Sequence, residues 1–415
     1  MASPDKKKLQ EALDLVTLHG SAGKASNAID GKIAKSTIQD RVKQAKRKGM
    51  TPSKRAVIPE EPDDDYMSKH FLETQVKSLR AEIKEYEYQK IDSEFIKKKI
   101  YSLKSMNVDP PDWVLKPQEE KGCPGVPVLV LSDLHWEEAV NKDEIGGVNQ
   151  YNLPIARQRL KQLGQNLIDV CFSHMVKPDY PGLVIMMPGD NFSGNLHDLN
   201  ETNELPMMAA FNDLQNHLTA LFDELLKHFK NIFVVGTAGN HGRNSIKPKT
   251  KNRATDNWDW LLYVQMESYY RGKGEKNIQF LSPTSPDVLF KIYNTRFMLT
   301  HGDQFRGGDG MIGPLGPIMR GDWKKRGKQM QIDQNYDVMV MGHFHFYMYV
   351  YNRLLVNGSL KGYDEYANLL NLPFQPPLQA LFLVHPERGI TFNIPIPVEE
   401  KVKREPGEWV SIFKP

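Results

Sequence analysis

Five short apolar runs, each stopping abruptly at residues that can bind a metal ion, constrain this chain more than any other feature. The first, VPVLVLSDLHW at 126–136, ends in Asp133 and His135. LVIMMPGD ends in Asp190, and FVVGTAGNH in Asn240 and His241. RFMLTH ends in His301, and VMVMGHFH in His343 and His345. Continuous apolar runs of this length read as strands buried on both faces, as in an α/β sheet. The carboxy-terminal tips of such strands are where α/β folds place their ligands. Asp133 and His135 alternate with Leu134, which predicts that both side chains point to one side of the strand. Each tip alone has an ordinary explanation: Asp after Gly is usually a turn residue, and a single His at a strand end is usually a hydrogen-bonded surface group. Five in succession call for something that offsets the desolvation of so many carboxylates and imidazoles, and a metal ion does so directly.

The order SDLH, PGDN, AGNHG, THGD and MGHFH resembles the calcineurin-like metallophosphoesterases, over roughly residues 120–400. The resemblance implies a four-layer α-β-β-α sandwich with two metal ions at the strand tips. By position, it implies that one ion takes Asp133, His135 and His345, and the other Asn240, His301 and His343, with Asp190 as the bridge. It assigns His241 to the leaving group or to phosphate, as a catalytic residue that is not a ligand. Two ions about 3.5–4 Å apart clamp the attacking and leaving oxygens of a displacement at phosphorus and generate hydroxide near neutral pH. A mixed imidazole, carboxylate and amide set suits Mn, with Fe or Zn as alternatives, better than Mg or Ca. The sequence departs from the family twice. Gly242 and Arg243 follow the G-N-H motif where many members carry an acid that orients the histidine. No Arg follows Gly189-Asp190, so Arg243 is the candidate phosphate clamp, with Lys247 and Lys249 beside it as further substrate contacts.

Charge separates a second module from this body. The 415-residue chain has a net charge of +3, yet residues 1–57 hold 13 Lys/Arg against 5 Asp/Glu, a net of +8 that leaves −5 for the remainder. Short helical patterns at 9–20 and 22–31 precede a basic one at 33–49, in which Ser36 and Gln39 form a capping signature. Helix, turn and a longer basic helix match the helix-turn-helix plan, which resembles small phage and bacterial DNA-binding segments. The expected DNA contacts are Ser36, Thr37, Arg41, Lys43 and Arg47; a docking module whose charges serve only solubility is the alternative. The chain therefore divides into a basic domain at 1–50, a proline-rich linker at 51–66, a long helix at 67–118 and a catalytic domain at 119–415. Leu72, Val76, Leu79, Ile83 and Tyr86 form a short heptad seam. That seam could join two subunits through residues 67–105 or lie on its own chain.

Two cysteines, Cys123 and Cys171, are too few for a disulfide framework, and no run reaches membrane-span length. These features point to the cytoplasm of a bacterium or a phage-infected host, without membrane partners. The basic module, the loop at 243–253 and the basic segment at 320–328 favour a DNA phosphodiesterase, as in the nuclease branch of the family. The alternative is a phosphatase or phosphodiesterase acting on phosphoproteins or small nucleotides, with the basic module used only for targeting. The tail, rich in proline, is expected to be loosely held.

Overall fold

The computed structural model describes residues 5–29, 32–53, 76–77, 80, 109–117, 125–176, 178–196, 202–307 and 313–399. Two compact units divide the chain, residues 1–88 and 89–415. All of the heptad seam except the exposed Val76, and most of the long helix expected at 67–118, lie outside the described residues, as does Cys123.

The first unit packs α1 (Lys6–His19), α2 (Ala22–Ala28) and α3 (Lys35–Arg47) around Leu9, Ala12, Leu13, Ala25, Ile38 and Ala45. The apolar positions of α1 and α3 recur at helical spacing, which is why each helix buries one stripe. The capping role expected of Ser36 is not present. The N-cap of α3 is Ala34, which makes no side-chain cap bond, and Ser36 lies exposed inside the first turn. Gln10 Nε2 donates to the carbonyl of Thr51 at 2.9 Å, and Ser53 N donates to Asp14 at 2.8 Å, strapping residues 51–53 onto α1. The Ser53 hydroxyl is the main reason that the Asp14 carboxyl is held low.

In the second unit two sheets stack face to face. A short helix, α4 (Asp112–Leu115), leads in and buries Val114. Sheet one has the order β11-β10-β1-β2-β3-β4, formed by β1 (Val126–Val130), β2 (Leu183–Met187), β3 (Ile232–Gly236), β4 (Ile278–Leu281), β10 (Leu378–His385) and β11 (Gly389–Pro397). Its strands β1 to β4 are parallel, and β10 pairs antiparallel with β1. Sheet two has the order β5-β6-β7-β9-β8, formed by β5 (Asp287–Ile292), β6 (Thr295–Thr300), β7 (Val338–Met341), β8 (Met348–Val350) and β9 (Leu354–Val356). Strands β6, β7 and β9 are parallel neighbours.

Alternation along the strands builds three cores. Val128, Val130, Val184, Met186, Phe233 and Val235 face Phe290, Phe297, Leu299 and Val340 between the sheets. The opposite faces of β1 to β3 (Leu129, Ile185, Val234) meet α5 (Leu153–Ser173), α6 (Met207–His228) and α7 (Trp258–Lys273). Met298, Met339 and Met341 on the far side of sheet two meet Ile318 of α8 (Leu315–Met330). Layers therefore run helix, sheet, sheet, helix, the four-layer sandwich expected from the motif order. The period of two along each strand requires this, since both faces are apolar and each must be covered.

The basic segment at 320–328 lies within α8. The tail is held as far as Pro397: β11 pairs along β10 as an edge strand, the position in a sheet where Pro395 and Pro397 are tolerated. Among the described residues no helix is long and apolar enough to cross a membrane.

Candidate metal centre

The tips of β1, β2, β3, β6 and β7 converge at one end of the two stacked sheets. The chain leaves each strand before the ligand-type residue is reached. Asp133, His135, Asp190, His343 and His345 all adopt left-handed backbone, with φ of 53°, 46°, 52°, 70° and 57°. Such a conformation costs a residue other than glycine about 1–2 kcal/mol. Clustering at one site is how proteins store strain where geometry matters. Asp133 and His135 therefore do not share a side through strand alternation, as expected; β1 ends at Val130 and both residues sit on the turn beyond it. Glycine lets tips two and three approach. A Cβ on Gly189 would overlap the backbone of Gly239, and a Cβ on Gly239 would overlap the Asp190 carboxylate.

Seven residues from the five tips assemble into two adjoining clusters. In one, His135 Nε2 lies 3.1 Å from His345 Nε2, and His345 Nε2 lies 3.4 Å from Asp133 Oδ1. In the other, His301 Nε2 lies 2.9 Å from Asp190 Oδ2 and 3.0 Å from Asn240 Oδ1, and the rings of His301 and His343 are 5.0 Å apart. Asp190 takes part in both, because its carboxylate, His135 and His241 also form a compact group of potential ligands. His241 stands over this junction, its ring 4.7 Å from that of His135.

The hydrogen bonds behind the rings decide which nitrogen faces inward. His301 Nδ1 lies 2.8 Å from the Pro188 carbonyl, which only an N–H can satisfy, so Nε2 is the atom turned to the cluster. His135 Nδ1 lies 2.9 Å from Ser193 Oγ, and that hydroxyl donates to Glu138. Glu138 in turn accepts from the fully buried Lys361 at 2.8 Å, which also reaches Asp364 at 2.6 Å. Histidine metal ligands characteristically rely on such outer partners to fix tautomer and orientation.

Protonation follows from burial and proximity. Burial pushes His135 down to about 3, with Lys361 adding to the effect. Burial likewise pushes His343 down to about 4, aided by the charge on His301. Burial opposes ionisation of Asp190, yet His301 and His241 hold its carboxyl well below the usual range. Burial would lower His301 too, but the Asp190 carboxylate raises it to about 10. The Asp190 Oδ2 atom is buried against the His301 imidazole. A carboxylate this deeply buried among imidazoles is costly unless cations occupy the centre. The donor set, mixed nitrogen and oxygen from five tips, fits two divalent metal ions.

His241 is oriented differently from the family pattern. Its Nδ1 lies 3.2 Å from the Ser193 carbonyl, and its backbone N–H donates to Asp190 Oδ1 at 2.8 Å. Burial lowers its pKa, so the resting ring is neutral, with Nε2 as its remaining polar atom. It must gain a proton during turnover before it can give one up.

Arg243 is less available as a phosphate clamp than expected. Its guanidinium donates to the carbonyls of Asn240, Ser245 and Ile246, at 2.5, 3.0 and 3.3 Å, and so braces its own loop. Lys249 pairs with Asp256 at 3.1 Å, and Arg253 with Asp303. These groups line a narrow cleft that opens beside Asn240. Lys247 is exposed on the same loop. In the separate N-terminal unit, Ser36, Lys43 and Arg47 are exposed on α3, and Thr37 and Arg41 are half-buried.

Two sets of residues at the centre escape a reading of the sequence. Asp259, at the start of α7, is fully buried and accepts four hydrogen bonds. The donors are the backbone N–H groups of Asp190 and Gly239 on Oδ2, at 3.0 and 2.8 Å, and the backbone and side-chain N–H groups of Asn191 on Oδ1, at 3.0 and 2.8 Å. It ties tips two and three together from behind. Its only sequence signal is an acid in a first helical turn after the N-cap Asn257, which the helix dipole explains without any site. Glu138 and Lys361 form the second set; Glu138 follows SDLHW closely, but its partner lies 223 residues away.

Comparison with known proteins finds no matching family model and no matching curated protein. Solved structures do align. A dimetal phosphatase from Danio rerio is 9% identical, with 67% of this chain and 100% of that one covered and a TM-score of 0.30. Vacuolar Protein Sorting 29 from Cryptosporidium parvum is 14% identical, covering 63% and 86%, with a TM-score of 0.27. A conserved Streptococcus pneumoniae protein described as a predicted phosphoesterase is 10% identical, covering 65% and 97%, with a TM-score of 0.25. Likeness at this level carries no residue or activity across, so the site rests on its own geometry.

Proposed function

We propose that this chain is a metal-dependent phosphoric ester hydrolase, and within that class a phosphodiesterase acting on nucleic acid. The observation that carries the reading is the pair of clusters of potential metal ligands joined at the buried Asp190. Asp133, His135 and His345 would hold one ion, Asn240, His301 and His343 the other, and Asp190 both. Two such ions supply Lewis-acid stabilisation of the oxygens around phosphorus and a nucleophile at neutral pH. The chain does the rest. The left-handed turns fix the donor atoms before substrate arrives, and the hydrogen bonds to Pro188, Ser193 and Glu138 keep the rings from turning. His241, held at Nδ1 by the Ser193 carbonyl, aims Nε2 to carry a proton to the departing oxygen.

The nucleic-acid part of the proposal draws on α3, whose exposed Lys43, Lys46 and Arg47 would meet phosphates, and on the basic loop beside Asn240. One observation favours a second reading, a phosphatase or phosphodiesterase on small nucleotides or phosphoproteins. The cations Lys249 and Arg253 in the cleft are already neutralised by Asp256 and Asp303, which suits a small polar substituent better than a polyanion. Mn²⁺-loaded protein assayed on bis(p-nitrophenyl) phosphate and on p-nitrophenyl phosphate separates the two. Preference for the diester, with cleavage of labelled DNA or RNA, is expected. Preference for the monoester would transfer the assignment to the second reading, and no hydrolysis of either with Mn²⁺, Fe²⁺ or Zn²⁺ would remove both.

A further inference from the structure

The outer face of α8 presents an unusual combination. Trp323 is 73% exposed there, a large cost for a side chain of that size to leave in water. Arg320, Lys324 and Lys328 are exposed beside it, spaced four residues apart and so stacked along one stripe about 6 Å per step. Two further cations point away from this face: Lys325 contacts both oxygens of Asp287 at 2.6 Å, and Arg326 pairs with Asp322 at 2.9 Å. Asp322, the single acid of the helix, is fully buried, so no carboxylate of α8 dilutes the stripe.

Gly327 sharpens the point. Glycine inside a helix costs roughly 1 kcal/mol relative to alanine. Gly321, in the same helix, has a reason, since a Cβ there would strike the ring of Phe305. Gly327 has none of that kind; a Cβ there would meet nothing within 4 Å. It lies four residues after Trp323 on the exposed face, and its missing side chain leaves that side of the indole uncovered. Helix α8 links parallel β6 to β7, so its first turns lie at the end of sheet two that bears His301 and His343, and Phe305 seats against Gly321.

We propose that this face of α8 binds single-stranded nucleic acid, with a base stacked on Trp323 and successive phosphates on Arg320, Lys324 and Lys328. An aromatic platform combined with a track of cations is the chemistry that single strands require, and charge complementarity selects a polyanion over an apolar partner. This deepens the nucleic-acid reading of the centre and rests on it for its biological sense.

The test is fluorescence anisotropy of a labelled mixed-sequence single-stranded 15-mer on the full chain carrying Asp190→Asn, so that the strand is not cut. Trp323→Ala should weaken binding about 5- to 100-fold, and Trp323→Phe should recover most of that loss, because stacking needs only a ring. Changing Lys324 and Lys328 together to Gln should lower the slope of log affinity against log salt by about 1.4. Equal affinity of Trp323→Ala and its parent would overturn the proposal, as would a Phe variant as weak as the Ala variant. Trp323-dependent binding to anionic vesicles, or Trp323-dependent self-association, with oligonucleotide binding unaffected would also overturn it. Hydrolysis of bis(p-nitrophenyl) phosphate by the unsubstituted protein reports on the centre separately. If that fails while Trp323-dependent binding persists, the phosphodiesterase reading falls and the binding face stands.

Discussion

Asp259 offers the sharpest test of how the centre is built. Its two carboxylate oxygens accept four buried hydrogen bonds, two each. Asparagine at this position is nearly isosteric but keeps only one acceptor oxygen and adds two donors. Whichever way the amide turns, two buried N–H groups lose their acceptor and face an NH₂ instead. If Oδ2 is the oxygen replaced, these are the N–H groups of Asp190 and Gly239. A buried donor left unsatisfied costs about 1–3 kcal/mol, so Asp259→Asn should destabilise the protein by about 2–6 kcal/mol. That is a large share of the roughly 5–15 kcal/mol typical of a folded domain. The damage should also be local. Asp190 is held in left-handed backbone, and its N–H is one of the four donors, so its carboxylate should lose its fixed position. Urea unfolding of the metal-free chain measures the first effect, and Mn²⁺ affinity measured by competition with a chelator measures the second. Tyr263→Phe is the gentler companion. It removes a hydroxyl 2.8 Å from Asn191 Nδ2 and should cost about 1 kcal/mol. Loss of less than 1 kcal/mol for Asp259→Asn, or lost stability with unchanged metal affinity, would refute the claim that Asp259 positions the centre.

Four further outcomes are expected. His241→Ala should slow turnover about 10²- to 10⁴-fold for a diester with an alkyl leaving group and far less for a nitrophenyl one; equal losses would rule out proton delivery by His241. Because Asp190 raises His301 to about 10 in the metal-free centre, that pairing contributes stability that is complete below 6.5 and fades as pH climbs through 10. Loading the ions at pH 8 should therefore expel about one proton from His301, read by calorimetry in buffers of different ionisation enthalpy; no proton release would contradict the assignment. Lys361→Met strands the buried carboxylates of Glu138 and Asp364 and should cost about 3–5 kcal/mol in urea unfolding, with part restored by adding Glu138→Gln; no loss would show that the network is not structural. Deleting residues 1–66 should weaken duplex DNA binding while sparing hydrolysis of a small diester, and unchanged duplex affinity would remove the DNA role of α3.

The sequence revealed the strands and their tips because buried parallel strands write themselves as continuous apolar runs, and Val126–Val130 or Ile232–Gly236 allow few other readings. It also revealed which residue types end those runs. It did not reveal how the chain turns there. Left-handed backbone at Asp133 or His343 is only weakly signalled by residue type, since Asp and His adopt it more often than most residues but far less readily than glycine. Nor did it reveal partners brought in from far along the chain. Lys361 looks like any surface lysine until Glu138 and Asp364 are seen around it. The error at Ser36 has a similar origin. A local capping pattern was present, but packing of Ile38 and Ala45 against α1 and α2 carried the helix start back to Lys35.

Strand β10 carries a consequence for how such a chain is made. It lies beside β1 in the middle of sheet one, although more than 240 residues separate them. From β10, Gln379 accepts the N–H of Ser132 at 2.9 Å and an N–H of Asn357 at 2.8 Å, and the Ser132 hydroxyl donates to Asp133. During synthesis, β1 emerges early and must wait, unpaired on one edge, until Leu378–His385 leaves the ribosome. A message that stops short of Gln379 yields a chain with every ligand residue of both clusters but without the support behind Asp133. Folding of the centre thus acts as a proofreading step on translation itself: only a chain synthesised through β10 can close the edge of β1 on which its first ligands stand.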